Sequence, residues 1–177
     1  MHSPGITVVP IKDMTGSEHF CEVWFEDVEV PAENLVGELN GSFRQIMRQM
    51  EHERGGPDRL LSNRKLYEDC LAVADTSDPL VRQEVAAIET GYRIGRLLVL
   101  REILGQAPKQ FSAATKTYCT ELEQRIAQFR AATPGPDAVL AEPGLSLRVS
   151  TNVSYAPAYT IMGGTTPILR NILGERV

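Results

Sequence analysis

Apolar residues recur along most of this chain at helical spacing. In Ser42–Gly56 they fall at Phe43, Ile46, Met47 and Met50, the i, i+3, i+4, i+7 positions of one helix face. The next residue on that stripe is Glu53, with Arg54 beside it, while Glu51 points elsewhere. Gly55-Gly56-Pro57 interrupts the pattern, and a second helix is expected from Pro57 with Leu60, Tyr67, Leu71 and Ala74 on one face. A third helix starts at the N-cap Asp78 and Pro79, carries Val81, Val85, Ile88, Tyr92, Val99 and Ile103 on its face, and ends at Gly105. A fourth begins at Ser112, with Thr115, Cys119, Leu122, Ile126 and Phe129 on its face, and Pro134-Gly135-Pro136 stops it. Shorter helices are expected over Leu145–Ser154 and Thr166–Leu173, with Pro157 and Gly163-Gly164 as punctuation between them.

Residues 5–40 follow a different period. Ile6–Ile11, Phe20–Phe25 and Val28–Val30 read as three short strands, with turn residues at Asp13–Gly16 and Pro31 closing the third. Three short strands with no helices to cover them leave open edges, so they read as part of a larger sheet. The expected fold class is mainly α: an antiparallel helical bundle over 41–177, preceded by a short partial β-domain over 1–40.

Glu53 is the first chemical candidate. A carboxylate on a stripe otherwise apolar is costly to ionise, so burial there is expected to raise its proton affinity towards that of a general base. The bland alternative is a helix-end glutamate paired with Arg54 or another nearby charge. The second candidate is the Gly163-Gly164-Thr165-Thr166 turn. Two glycines and two threonines opening a helix expose N–H groups and hydroxyls that can bind a phosphate or a carbonyl oxygen. A plain helix-capping turn is the alternative. The turn is not a Walker loop, since no lysine follows in the required place.

Composition narrows the classes. A chain of 177 residues with 42% apolar and 23% charged residues can bury one good core. A net charge of −5 argues against a nucleic-acid partner. No apolar run approaches the ~18 residues of a membrane span, and the N-terminus lacks a signal-peptide pattern. Cys21, Cys70 and Cys119 are odd in number and far apart, as expected of buried thiols in a reducing cytoplasm. His2, His19 and His52 form no ligand pair with a cysteine, so no metal site is expected.

Three segments carry a resemblance. Phe25-Glu-Asp-Val28, Val30-Pro31 and Asn34-Leu-Val-Gly37 resemble the end of the β-domain of the acyl-CoA dehydrogenase family. His52-Glu-Arg-Gly-Gly56 is similar to the start of that family's C-terminal helical domain, and Ile161–Arg176 to its C-terminal signature. The motifs lie in the family's order and cover most of the chain, closest to its actinobacterial branch. The resemblance implies FAD-dependent α,β-dehydrogenation of an acyl-CoA thioester to a 2-enoyl-CoA.

In many family members the base precedes the Gly-Thr of the signature, the position of Gly163 here, which cannot act as one. In another branch the base directly precedes an arginine in the first C-terminal helix, which is Glu53 before Arg54. The resemblance leaves Gly163 the role of binding the thioester oxygen through its N–H. It places Gly164, Thr165 and Thr166 near the FAD, and Arg54 and Met50 near the substrate. The family's Trp-x-Thr-Ser-type and Arg-x-x-Phe-Gly segments, which contact flavin, have no match, and Asp75–Pro79 occupies the place of the second. Partners implied are other acyl-CoA dehydrogenase subunits in a homo- or hetero-oligomer, and electron-transfer flavoprotein. Two alternatives stay open: a non-catalytic partner subunit serving oligomerisation, and the acyl-CoA oxidase branch, which passes electrons to oxygen.

Overall fold

A computed structural model describes residues 2–140 and 142–176; the side chain of Arg176, the last residue of the signature, lies outside the described residues. The chain divides into two compact units, Met1–Met47 and Arg48–Val177.

The first unit holds β1 (Ile6–Ile11) and β2 (Phe20–Phe25), paired antiparallel with Ile6 opposite Phe25 and Ile11 opposite Phe20. The Asp13 carboxylate organises the connection by accepting the backbone N–H of Thr15 at 2.8 Å and of Ser17 at 3.1 Å. The strand expected over Val28–Val30 does not form. Asp27 turns the chain with φ 49°, and Pro31 leads into a 3-10 turn over Ala32–Asn34 before three residues can find a partner strand. Cys21 on β2 is exposed, contrary to the buried thiol expected there, whereas Cys70 and Cys119 are buried.

The second unit is a helical bundle reached through α1 (Ser42–Arg54). It contains α2 (Asp58–Leu61), α3 (Arg64–Val73), α4 (Pro79–Ile103), α5 (Ser112–Ala132), α6 (Leu145–Tyr159) and α7 (Thr166–Arg176). The expected cap of α4 is present: Asp78 accepts the Leu80 N–H at 2.8 Å. Three boundaries differ from the pattern. The helix expected from Pro57 breaks at Asn63 into α2 and α3. The helix over Leu145–Ser154 continues through Pro157 to Tyr159, because proline near a helix end forfeits little. The last helix runs beyond Leu173 to Arg176.

The core packs around α5. Its expected face of Thr115, Cys119, Leu122, Ile126 and Phe129 is buried, but so are Lys116, Thr120, Glu123 and Arg130 on its other sides. α4, α6 and α7 pack against it together with α2, so it is enclosed rather than amphipathic. Tyr67 packs at a tilt against Tyr92 and against Phe129, each with ring centroids 5.7 Å apart. No described helix is long and apolar enough to cross a membrane.

Candidate active site

Four of the residues singled out in the sequence, Met50, Glu53, Arg54 and Gly163, line one crevice of the bundle, whereas Gly164, Thr165 and Thr166 are not part of its lining. The crevice is lined by Met50, Glu53 and Arg54 of α1, Arg59 of α2, Lys116 of α5 and Gly163. The end of α1 comes close to α4 because Gly55 has no side chain; a Cβ there would collide with the Glu102 carboxylate. The Glu51 carboxylate faces away and accepts the backbone N–H of Gln110 at 2.5 Å.

Three cations converge on the turn between α6 and α7. Arg54 Nε donates to the Gly163 carbonyl at 2.9 Å, across 109 positions of sequence. Lys116 Nζ donates to the Gly164 carbonyl at 2.7 Å. Arg59 Nη1 donates to Met162 Sδ at 2.9 Å. Gly163 and Gly164 have φ 69° and 103°, a pair of left-handed positions that only glycines take without strain. Both glycine carbonyls are therefore occupied, whereas the N–H groups of Gly163, Gly164 and Thr165 carry no hydrogen bond among the described residues. The Thr166 hydroxyl beside them is buried and without a partner. Such a run of donors suits a ligand rich in acceptor oxygens, as the resemblance required of this turn.

The electrostatics differ from the expectation at one point. Glu53 is exposed, as are Phe43, Ile46 and Met47, so the apolar burial expected around its carboxylate is missing in this chain. No ion pair holds Glu53 among the described residues, so the paired helix-end alternative is not seen either. Lys116 is the perturbed group instead. It is 0% exposed, and burial, reinforced by Arg59 and Arg54, pushes its ammonium down to about 8.

A buried polar hub fixes α2, and with it Arg59. Asn63, at the break before α3, donates to Glu123 at 2.8 Å and to the Tyr159 hydroxyl at 2.6 Å. Arg130 donates to the Asn63 carbonyl at 2.7 Å and to Asn152 at 2.5 Å, and Asn152 donates back to Asn63 at 3.0 Å. The break thus places a carbonyl and an amide where α5 and α6 can satisfy them, which an unbroken helix would not. Burial raises the Glu123 carboxyl above the ordinary carboxylate range, partly offset by Asn63 and Arg130.

Sequence reasoning missed Arg59, Lys116 and this hub. A signal existed: Lys116, Glu123 and Arg130 recur every seven residues, a second stripe on α5 that reads as a solvated face until the helix is known to be enclosed. A wider apolar groove between α2 and α4, lined by Leu60, Leu61, Tyr92, Val99 and Leu100, lies apart from the crevice, and its polar groups are three arginines and the Tyr92 hydroxyl. It shares no lining residue with the crevice.

Comparison with known proteins bears on this arrangement. The family model described as acyl-CoA dehydrogenase, C-terminal domain, matches residues 40–177. The chain belongs to the acyl-CoA dehydrogenase family. It is 28% identical over 187 residues to acyl-CoA dehydrogenase IpdE1 of Mycobacterium tuberculosis (strain ATCC 25618 / H37Rv), which spans 100% of this chain and 48% of that protein. It resembles the solved structure titled Tcur3481-Tcur3483 steroid ACAD with a TM-score of 0.84 at 24% identity, covering 97% of this chain and 48% of that one. The structure titled ChsE4-ChsE5 complex from Mycobacterium tuberculosis matches with a TM-score of 0.79 at 23% identity, covering 98% and 49%. At these identities the structural likeness shows the acyl-CoA dehydrogenase C-terminal fold. The chain spans about half the length of the IpdE1 relatives it matches.

Proposed function

We propose that this chain is the C-terminal part of an FAD-dependent acyl-CoA dehydrogenase, converting an acyl-CoA thioester to its 2-enoyl-CoA. In this reading residues 1–40 close a β-domain and 41–177 form the helical domain. The observation that carries it is the crevice: Glu53 and Gly163 line it together, and Arg54 bonds the carbonyl of Gly163.

The Glu53 carboxylate takes the α-proton of the thioester. The free N–H of Gly163 donates to the thioester oxygen and stabilises the charge that develops there as the proton leaves. Met50 lines the apolar side and Arg54 holds the turn in register. Gly164, Thr165 and Thr166 would hold FAD through the free N–H groups of Gly164 and Thr165 and the unpartnered Thr166 hydroxyl. Bound FAD supplies the acceptor for the hydride lost from the β-carbon. The exposure of Glu53 requires the apolar cover of a working base to come from the substrate and from protein outside residues 48–177. Replacing Glu53 by glutamine is expected to abolish turnover in the flavin-loaded enzyme while leaving the melting temperature unchanged; retained turnover removes Glu53 from the mechanism.

A second reading has its own support. Two of the chain's structural neighbours bear titles that join two polypeptides. α4 and its C-cap expose Leu97, Ile103 and Leu104 at 63–66%, apolar side chains that a partner subunit would cover. In this reading the chain is a subunit that completes a homo- or hetero-oligomeric dehydrogenase, with electron-transfer flavoprotein as the onward acceptor. Co-purification of the chain with an acyl-CoA dehydrogenase subunit, and flavin in the complex but not in the chain alone, would support it.

A further inference from the structure

We infer that Lys116 is a positioning residue of this site: with Arg54 it clamps the consecutive carbonyls of Gly163 and Gly164, and so presents the N–H groups of Gly164 and Thr165 to the ligand as a fixed, polarised donor pair. The inference rests on the dehydrogenase reading for the ligand's identity, but the clamp itself stands on the geometry.

The clamp answers a problem that the turn creates. Two successive left-handed glycines are the most mobile backbone a chain can place beside a ligand, and holding each in one conformation costs backbone entropy. Side chains of the turn cannot hold it, since glycine has none. The restraint must come from hydrogen bonds to the carbonyls, and both carbonyls receive one from a cation. A charged donor on a carbonyl also polarises the peptide it belongs to. Arg54 on the Gly163 carbonyl strengthens the N–H of Gly164. Lys116 on the Gly164 carbonyl strengthens the N–H of Thr165. Both N–H groups are free of protein partners among the described residues.

Stability gives no reason for a lysine at this position. Its side chain is wholly buried, forms no ion pair among the described residues, and shares its crevice with two arginines. A methionine would fill similar volume without bringing a third positive charge into the bundle. Residues that cost stability and converge on one turn mark a functional constraint. The groups facing Lys116 are Glu53 and Arg54 from α1 and Arg59 from α2. Farther along the bundle lie Glu102 on α4, which accepts the Thr115 hydroxyl, Glu123 on α5 itself, and Tyr159 on α6. The surface pair Arg170–Glu121 joins α7 to α5.

The test reads the Gly164–Thr165 peptide directly, by carbon-detected carbonyl–nitrogen correlation on the full chain between about pH 6.5 and 11.5, a window that spans both the shifted and the ordinary lysine range. In wild type this resonance is expected to shift with a midpoint near the value to which burial pushes Lys116, about 8. Lys116→Met is expected to abolish the transition; Lys116→Arg is expected to abolish it too, while keeping the low-pH position of the peak. In the assembled enzyme Lys116→Met is expected to speed flavin release by about tenfold or more, and Lys116→Arg to restore most of the retention. A wild-type peptide that does not titrate overturns the clamp, and so does one that titrates equally in Lys116→Met. If the methionine variant does not fold, the wild-type titration and the arginine variant still decide. A titrating peptide in an enzyme that keeps turnover after Glu53→Gln leaves the clamp standing and removes the proposed base.

Discussion

Arg130→Met should be among the most damaging single substitutions in the bundle. Arg130 is 0% exposed and holds Asn152 at 2.5 Å and the Asn63 carbonyl at 2.7 Å, with Glu123 3.9 Å away. Methionine replaces its volume but removes every one of these contacts. Glu123 is then left as a buried carboxylate answered only by the Asn63 amide, with its other oxygen already lacking a partner. Breaking one side of a buried charge pair costs roughly 3–5 kcal/mol. At about 2–4 °C per kcal/mol for a chain of this size, the melting temperature should fall by roughly 6–20 °C. Glu123→Gln keeps an acceptor for Asn63 and removes the stranded charge, so it should cost less. The double variant should be more stable than the sum of the two losses by about 1 kcal/mol or more. Urea denaturation followed by circular dichroism gives all four corners of the cycle. A loss below about 1 kcal/mol for Arg130→Met, or strict additivity, would refute the view that the hub is one coupled charge network.

Other perturbations test separate parts of the structure. Gly91→Ala would place a Cβ 2.6 Å from Leu122 Cδ1, so overpacking of about 1–3 kcal/mol should outweigh the ~0.5–1 kcal/mol gained in helix propensity, lowering the urea midpoint. Thr166→Val removes a buried, unpartnered hydroxyl, and should stabilise the chain alone by roughly 1 kcal/mol while weakening flavin retention in the assembled enzyme, read by thermal melts and by flavin release. The folded chain holds the Lys116 proton less tightly than the unfolded chain, with an affinity moved from 10.5 to about 8. The unfolded state therefore carries more protons between those values, and stability from this group rises with pH across the window. Subtracting the Lys116→Met curve from wild type should leave a rise of up to about 3 kcal/mol from pH 8 to 10.5. Cys119 and Tyr67, each pushed up to about 12 by burial, act in the opposite sense above pH 9 and cancel in that subtraction.

The hydrophobic period made most of the bundle legible. Asp78-Pro79, the face of α5, the face of α4 as far as Val99, and the turn before Thr166 sit where the pattern put them, because local capping and packing agree there, whereas Ile103 at the end of the expected α4 face is exposed. Legibility failed where tertiary partners overrode local preference. Nothing near Ser62-Asn63 announces a helix break; it exists because Arg130, Glu123 and Tyr159 take up the groups that the break frees. The stripe through Phe43, Ile46 and Met47 was legible as a stripe, but periodicity cannot say what covers it, and in this chain it is exposed. The resemblance brought Glu53 and Gly163 together before any coordinates did, and the geometry places both on one crevice. Lys116 escaped because a lone lysine on a helix ordinarily means a solvated face. Only the enclosure of α5 on every side gives it a different meaning.

The central claim is that Glu53 removes an α-proton from a thioester bound at Gly163. An acyl-CoA with no β-hydrogen, such as a 3,3-dimethylacyl-CoA, isolates that step because no hydride can leave. The decisive measurement is deuterium uptake at its α-carbon, followed by mass spectrometry in D2O with the flavin-loaded enzyme that contains this chain. The account predicts exchange with wild type and a loss of about 100-fold or more in Glu53→Gln. Exchange at the wild-type rate in that variant would contradict it, and would leave the crevice without its base.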